Sequence, residues 1–172
     1  MTDEVTLPVP CLERLKQYLS NAQVAYTVTE HPACYTAQEL AQIEHISGRL
    51  IAKVVMLVAD GKPVMVVVPG VMKLDLRAIR KTLRAHDVRL SLEDELAHLF
   101  PDCEVGAMPP FGNLYNVQVY VDDRLTRDPV ILFNAGNHRW TITMTYADYA
   151  RLVQPATGDF AKEPEAMQSV PS

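Results

Sequence analysis

A lysine interrupts the most apolar stretch of the chain, Leu50-Ile51-Ala52-Lys53-Val54-Val55-Met56-Leu57. An ammonium on a buried strand costs several kcal/mol when it is desolvated without a partner. Lys53 therefore has two readings. It is an edge-strand residue that blocks pairing and snorkels to water, or a cation projecting into a pocket to hold an anion or a polarised carbonyl. In the segment Gly106-Ala107-Met108-Pro109-Pro110-Phe111-Gly112, two prolines fix φ and remove donors, and a glycine at each end permits close approach. This is either a tight connection or a rigid loop of the kind that holds ligands beside a sheet. In Phe133-Asn134-Ala135-Gly136-Asn137-His138 a strand runs into a glycine turn. Its Asn-Ala-Gly backbone offers N–H donors for an oxyanion. His138 is either a solvated turn residue or a proton shuttle that contacts substrate. His31 and Cys34 invite a Cys/His nucleophile, but no third orienting group is evident; Cys103 borders the Gly106 loop without further support.

No H-E-x-x-H, Walker A or G-x-G-x-x-G element is present, so metal hydrolysis, phosphoryl transfer and dinucleotide binding have no positive support. The three cysteines, Cys11, Cys34 and Cys103, are widely spaced and suggest neither a disulfide framework nor a zinc site.

The elements that must position these residues follow from the apolar spacing. Leu12, Leu15, Tyr18 and Leu19 predict a helix over about 10–22, and Val24 to Thr29 predicts a strand. Thr36-Ala37-Gln38-Glu39 is a capping box for a helix expected to stop at Ser47-Gly48. Leu50 to Ala59 and Pro63 to Pro69 are strands around Asp60-Gly61, a hairpin turn pair. Asp75 to Ala85 predicts an amphipathic basic helix, and Ser91 is the expected cap of another helix reaching Phe100. Tyr115 to Val121, Val130 to Asn134 and Arg139 to Thr145 read as strands, and Tyr146 to Val153 as a closing helix. Without a regular β-α-β rhythm, the expected fold is a single α+β domain over 10–153, with a mostly antiparallel mixed sheet flanked by helices. Residues 154–172, rich in Pro, Glu, Gln and Ser, are expected to be a disordered tail.

The chain has 172 residues, 48% of them hydrophobic and 22% charged, the balance of a soluble globular domain. No run approaches ~18 uninterrupted apolar residues, and Met1 to Pro10 lacks a basic, apolar leader, so no membrane partner and a cytoplasmic location are expected. The formal charge of -5 argues against nucleic acid at first sight. It is unevenly spread. From Lys73 to Arg89 six basic residues face two acids, a local +4, so the remainder is -9.

The Glu30-His31 end of the second element, the capped helix from Thr36 to His45, Ala52-Lys53-Val54, the Val66 to Pro69 strand followed by Lys73-Leu74-Asp75-Leu76, the Gly106 to Gly112 loop and Asn134-Ala135-Gly136 occur in one order. In that order they resemble the YbaK/prolyl-tRNA synthetase-associated editing domain family over roughly Leu12 to Val153. The resemblance implies a strongly bent sheet and no metal or other cofactor. It also implies hydrolysis of the ester of a mischarged aminoacyl-tRNA, typically Cys-tRNA(Pro) or Ala-tRNA(Pro), by a free protein or by a domain inserted in a synthetase. The family lysine falls on Lys53, and the family G-x-x-x-P loop on Gly106 and Pro110, with Gly112 shortly after. Catalysis is then expected from Lys53, Gly106 and His138, and substrate binding from His31, Pro110, Gly112, Asn134 and Gly136. Two positions bear on specificity: His138 occupies a place where some relatives carry a small or basic residue and others a histidine, and Val54 one where many carry a small polar residue.

The leading expectation is a trans-editing aminoacyl-tRNA deacylase whose partners are a mischarged tRNA 3′ end and an aminoacyl-tRNA synthetase. The alternative is a binding or sensor module for an aminoacylated 3′ end or a small metabolite, without turnover. A third reading is a thiol hydrolase using Cys34 or Cys103. Arg77, Lys81 and Arg84 on the basic helix are the expected tRNA contacts, against a plain solvated face.

Overall fold

The computed structural model describes residues 10–164. Leu12, Leu15 and Leu19 recur at helical spacing, and all three are buried on one face of the opening helix α1 (Pro10–Asn21). The chain continues through β1 (Thr27–Glu30) and α2 (Ala37–Glu44), where the expected capping box forms: Thr36 Oγ1 accepts the Glu39 N–H and the Glu39 carboxylate accepts the Thr36 N–H. The helix ends earlier than the glycine predicts, because His45 itself adopts the left-handed cap at φ 55°. A 3₁₀ turn, Gly48–Leu50, then leads into β2 (Ala52–Ala59).

Asp60 and Gly61, both at positive φ, close the hairpin between β2 and β3 (Lys62–Pro69). After β4 (Lys73–Leu74), α3 (Leu76–Leu83) is capped by the Asp75 carboxylate. β5 (Val88–Leu90) precedes α4 (Glu93–Leu99). Ser91 is not its cap. Leu92 holds that place, and the Glu95 carboxylate accepts the Leu92 N–H at 2.8 Å while pairing with both terminal nitrogens of Arg89, which hold the Glu95 pKa down at about 2. A second 3₁₀ turn, Gly112–Tyr115, leads into β6 (Gln118–Asp122), α5 (Asp123–Thr126), β7 (Val130–Asn134), β8 (Trp140–Thr145), α6 (Tyr146–Val153), β9 (Ala156–Gly158) and β10 (Ala161–Lys162).

The architecture is α+β. A five-stranded sheet runs β5-β2-β3-β6-β9, antiparallel around β2 and parallel from β3 through β6 to β9. A three-stranded antiparallel sheet runs β1-β8-β7. The two meet at a parallel bridge between Ile51 and Leu132, so the bend falls where β2 begins. β5 pairs only with Leu57 to Ala59. The first half of β2 therefore has β3 on one side and, among the described residues, no strand in register on the other, which leaves room for a cavity beside Lys53.

β3 is buried on both faces, as its unbroken apolar run requires. Met65 and Val67 meet Phe111, Phe133 and Tyr149 in the larger core, and Val64, Val66 and Val68 meet Ile79 and Phe160 beneath α3. Residues 154–164 correct the expectation of a disordered tail. Composition hides one anchor: Phe160 is 1% exposed, and the buried Asp122 carboxylate accepts the N–H groups of Phe160 and Ala161 at 2.8 and 2.9 Å. β9 and β10 pair with β6 and β4. Residues 165–172 of the expected tail lie outside the described residues.

Candidate functional site

Lys53 is the third link of a short chain of geometry that starts with its strand. Alternation along β2 sends Ala52 and Met56 into the larger core and Lys53 to the opposite face. Its ammonium donates to the Met72 carbonyl at 2.8 Å, and partial burial lowers its pKa below that of an ordinary lysine. One of three N–H donors is thereby used, and two remain. Lys53 lines a cavity of about 80 Å³, whose wall also includes Tyr35, Leu40, Gly106, Met108 and Asn134. The carboxamide of Asn134 makes no hydrogen bond to another described residue.

The proline loop is rigid for identifiable reasons. The Tyr149 hydroxyl donates to the Pro110 carbonyl at 2.6 Å, and the Tyr149 ring packs edge-on against Phe111 with centroids 5.2 Å apart. Gly112 is buried where a Cβ would lie 2.6 Å from the Val117 carbonyl oxygen. Pro110 and Gly112 thus shape the loop from behind and do not line the cavity. Gly106, at φ 90°, faces it, and its N–H is held only by the Met108 sulfur at 3.3 Å, a weak acceptor that a developing oxyanion can displace.

The Asn134-Ala135-Gly136 turn departs from its expected role. Ala135 N–H donates to the Trp140 carbonyl and Gly136 N–H to the Ala107 carbonyl, so neither is available to an oxyanion. Gly136 is a packing residue: at φ 103°, a Cβ there would lie 2.6 Å from Cys11 Sγ. Its amide bond to Ala107 ties the turn to the Gly106 loop and so sets Asn134 opposite Gly106.

His138 is oriented by a carboxylate that the sequence did not suggest. Glu104 Oε1 lies 2.8 Å from His138 Nδ1 and also accepts the His138 N–H at 3.0 Å. A carboxylate partner makes Nδ1 the protonated nitrogen and leaves the Nε2 lone pair open. Nε2 stands over Gly106, 3.5 Å from where a Cβ would be, although His138 itself does not line the cavity. The exposed ring of Tyr35 packs on the imidazole with centroids 4.6 Å apart.

His31 is elsewhere. It is 6% exposed, Nδ1 donates to the Pro32 carbonyl at 2.7 Å, and Nε2 points toward Glu44 at 3.7 Å without a hydrogen-bond partner. The Cys34 thiol lies against the cavity, but burial and the charges of Glu39 and Glu44 raise its pKa, which keeps it protonated and a poor nucleophile. Arg77 and Lys81 on α3, and Arg84 at its C-terminal cap, are exposed and away from the cavity wall. Sequence reasoning missed Tyr35, Met72, Met108 and Glu104. Tyr35, an aromatic just before a helix cap, was the only one with a local signal.

Behind the Gly136 turn the fold also joins two cysteines that the sequence separates by 92 positions. Cys103 Sγ lies 3.2 Å from Cys11 Sγ, and with Asp102 their candidate ligand atoms fall within 4.8 Å of one another.

The fold has close counterparts among solved structures. A scaffold used for computational epitope grafting superposes with a TM-score of 0.80 at 22% identity, over 90% of this chain and 99% of that one. A structure proposed to be a trans-editing enzyme for prolyl tRNA synthetase superposes at 0.79 and 23% identity, over 89% and 98%. At sequence level, the model for the aminoacyl-tRNA editing domain matches residues 31–152, and the chain belongs to that family. Two curated relatives are similar to it: the prolyl-tRNA editing protein ProX of Acetoanaerobium sticklandii, 26% identical over 79% of this chain and 86% of its own, and the multifunctional Ser/Thr-tRNA deacylase ProXp-y of Escherichia coli K12, 28% identical over 87% and 92%. Among the described residues no helix is long and apolar enough to cross a membrane.

Proposed function

We propose that this chain is a trans-editing aminoacyl-tRNA deacylase that hydrolyses the ester of a tRNA mischarged with a small amino acid. The observation that carries the reading is Lys53, whose ammonium is anchored by the Met72 carbonyl and which shares a small cavity with Gly106 and Asn134. The ester carbonyl lies between Lys53 and the Gly106 N–H. Both donors strengthen their bonds as negative charge develops on the carbonyl oxygen, which lowers the barrier by differential stabilisation. Water is the nucleophile, and His138, held by Glu104 through Nδ1, accepts its proton at Nε2 and returns it to the ribose oxygen that leaves. The Asn134 carboxamide receives the amino group of the substrate.

The cavity, about 80 Å³ against about 30 Å³ for one water molecule in the liquid, suits a side chain of a few non-hydrogen atoms. The name of the Escherichia coli relative gives serine and threonine, and these two, with the alanine and cysteine implied by the family resemblance, are the candidates. Mischarged tRNA, including tRNA(Pro), is the proposed partner, with the synthetase that produces it.

The test is a deacylation screen with purified protein over Ala-, Cys-, Ser- and Thr-charged tRNA, including tRNA(Pro). Release of amino acid from at least one of them is expected. Saturable binding of the charged tRNAs with no release from any would instead leave a binding module.

A further inference from the structure

The cavity at Lys53 is one end of a longer depression. Beyond Tyr35, Thr36 and Ala37 it opens into a groove along Gly70 to Lys73. That groove shares Val71 and Met72 with a depression of about 620 Å³, which carries Arg49, Arg124 and Arg127. Met72 gives its carbonyl to Lys53 and also lines the next two sections, so the path from the ammonium to the arginines is continuous.

The three arginines differ in what they already hold. Arg124 is committed, with NH1 donating to Asp122 and Asp159 at 3.1 Å. The guanidinium groups of Arg49 and Arg127 make no hydrogen bond or ion pair to any described residue, and both side chains are exposed. Their backbones are fixed: the Ser47 hydroxyl accepts the Arg49 N–H at 3.2 Å, and the Arg127 N–H closes α5 on the Arg124 carbonyl. Asp128 and Glu163 line the same depression and keep it near neutral, which fits capture of one strand and disfavours indiscriminate coating by RNA.

We propose that Arg49 and Arg127 hold backbone phosphates of the single-stranded 3′ end of the substrate tRNA as it leaves the Lys53 cavity. The inference rests on the deacylase reading. An aminoacyl ester seated at Lys53 is the last residue of a strand whose phosphates carry its charge, and that strand must follow a path outward. The groove supplies the path, and planar guanidinium forks match phosphate oxygens. This moves the principal RNA contact from the α3 face to the opposite end of β4.

The experiment uses the full chain and a fluorescein-labelled RNA hairpin with a proline acceptor stem ending in single-stranded ACCA, with a blunt hairpin as control. Fluorescence anisotropy is measured across a salt series. Arg49→Gln/Arg127→Gln is expected to weaken binding of the ACCA hairpin about tenfold and to reduce the slope of log affinity against log salt by about 1.4, or about 0.7 per phosphate. Binding of the blunt hairpin should not change. The same variant should raise KM for a mischarged tRNA and leave kcat within about twofold, and a thermal melt shared with the unaltered protein checks the fold. Unchanged affinity and slope in this variant, loss confined to an Arg77→Gln/Lys81→Gln/Arg84→Gln variant, or no binding of the ACCA hairpin by the unaltered protein would each overturn the proposal. Failure of the unaltered protein to deacylate any charged tRNA strikes the deacylase reading instead, since the hairpin titration reads the groove without turnover.

Discussion

Two part-buried polar clusters flank the Gly106 loop, and they are built on opposite principles. Behind the loop, Cys103 donates to Cys11, the Tyr115 hydroxyl donates to Asp102 at 3.0 Å, and Arg14 pairs with Asp102 while lying 4.6 Å from the centre of the Tyr115 ring. Burial raises the Tyr115 pKa, and the bond to Cys11 together with burial raises that of Cys103. Each of these groups already has its partner. In front of the loop, and among the described residues, Lys53 has two unused donors, the Asn134 carboxamide has no hydrogen-bond partner, and the Gly106 N–H rests on a sulfur. Buried polar groups are normally satisfied by their own chain, so spare capacity facing a cavity distinguishes a site from a structural knot.

Gly136 separates the clusters, and its substitution carries the largest expected effect on stability. Gly136→Ala adds a Cβ at φ 103° and 2.6 Å from Cys11 Sγ. The added strain and overpacking should cost about 2–4 kcal/mol, read as a lower denaturant midpoint with an unchanged m-value. Truncating Cys11 to alanine in the same chain should recover part of the loss, because one of the two clashing atoms is gone.

A further effect on turnover is expected at His138. His138→Ala should lower kcat by about 10²-fold, the lower end of what a general acid–base group contributes. Glu104→Gln should do less, because it keeps the partner's size and weakens only its hold on the imidazole. A Glu104→Gln protein with an unaltered kcat would reduce that pair to a surface contact.

The pH dependence of Lys53 has a defined sign. Its folded pKa lies below the ordinary 10.5, because burial disfavours the ammonium. Activity that uses the cation is present below the folded value and declines as pH rises through it, ahead of a solvent-exposed lysine, after subtraction of hydroxide-driven ester loss. Stability moves the other way between the two values, because there the unfolded chain binds the extra proton.

The smallest effect belongs to the cysteines. Cys11→Ser/Cys103→Ser is expected to change deacylation less than twofold, measured under reducing conditions. A large loss would show that the rear cluster acts in the reaction.

Much of this contrast was legible before the fold was known. Lys53 stood out because a cation inside an apolar strand demands a reason, and Gly106 because its loop mixes proline rigidity with glycine clearance. The capping box at Thr36 and the Asp60-Gly61 hairpin are local signals that tertiary structure had no cause to override. Other features depend on distant pairing. Glu104 meets His138 across 34 positions, Cys11 meets Cys103 across 92, and Met72 meets Lys53 only after β3 has turned back. Residues 154–164 read as a tail because their composition is polar, yet one buried phenylalanine and one buried aspartate suffice to hold them. The Asn-Ala-Gly turn reads as an oxyanion donor from sequence because a sequence shows which N–H groups exist and not which carbonyls claim them.

The most direct test is single-turnover deacylation of the mischarged tRNA that the unaltered protein hydrolyses fastest, compared with Lys53→Ala at the same protein concentration. The account predicts a loss of about 10²- to 10³-fold in the rate of amino acid release, the scale expected when a preorganised donor to an oxyanion is removed, with the melting transition preserved. A Lys53→Ala protein that folds normally and releases the amino acid at the unaltered rate would contradict it.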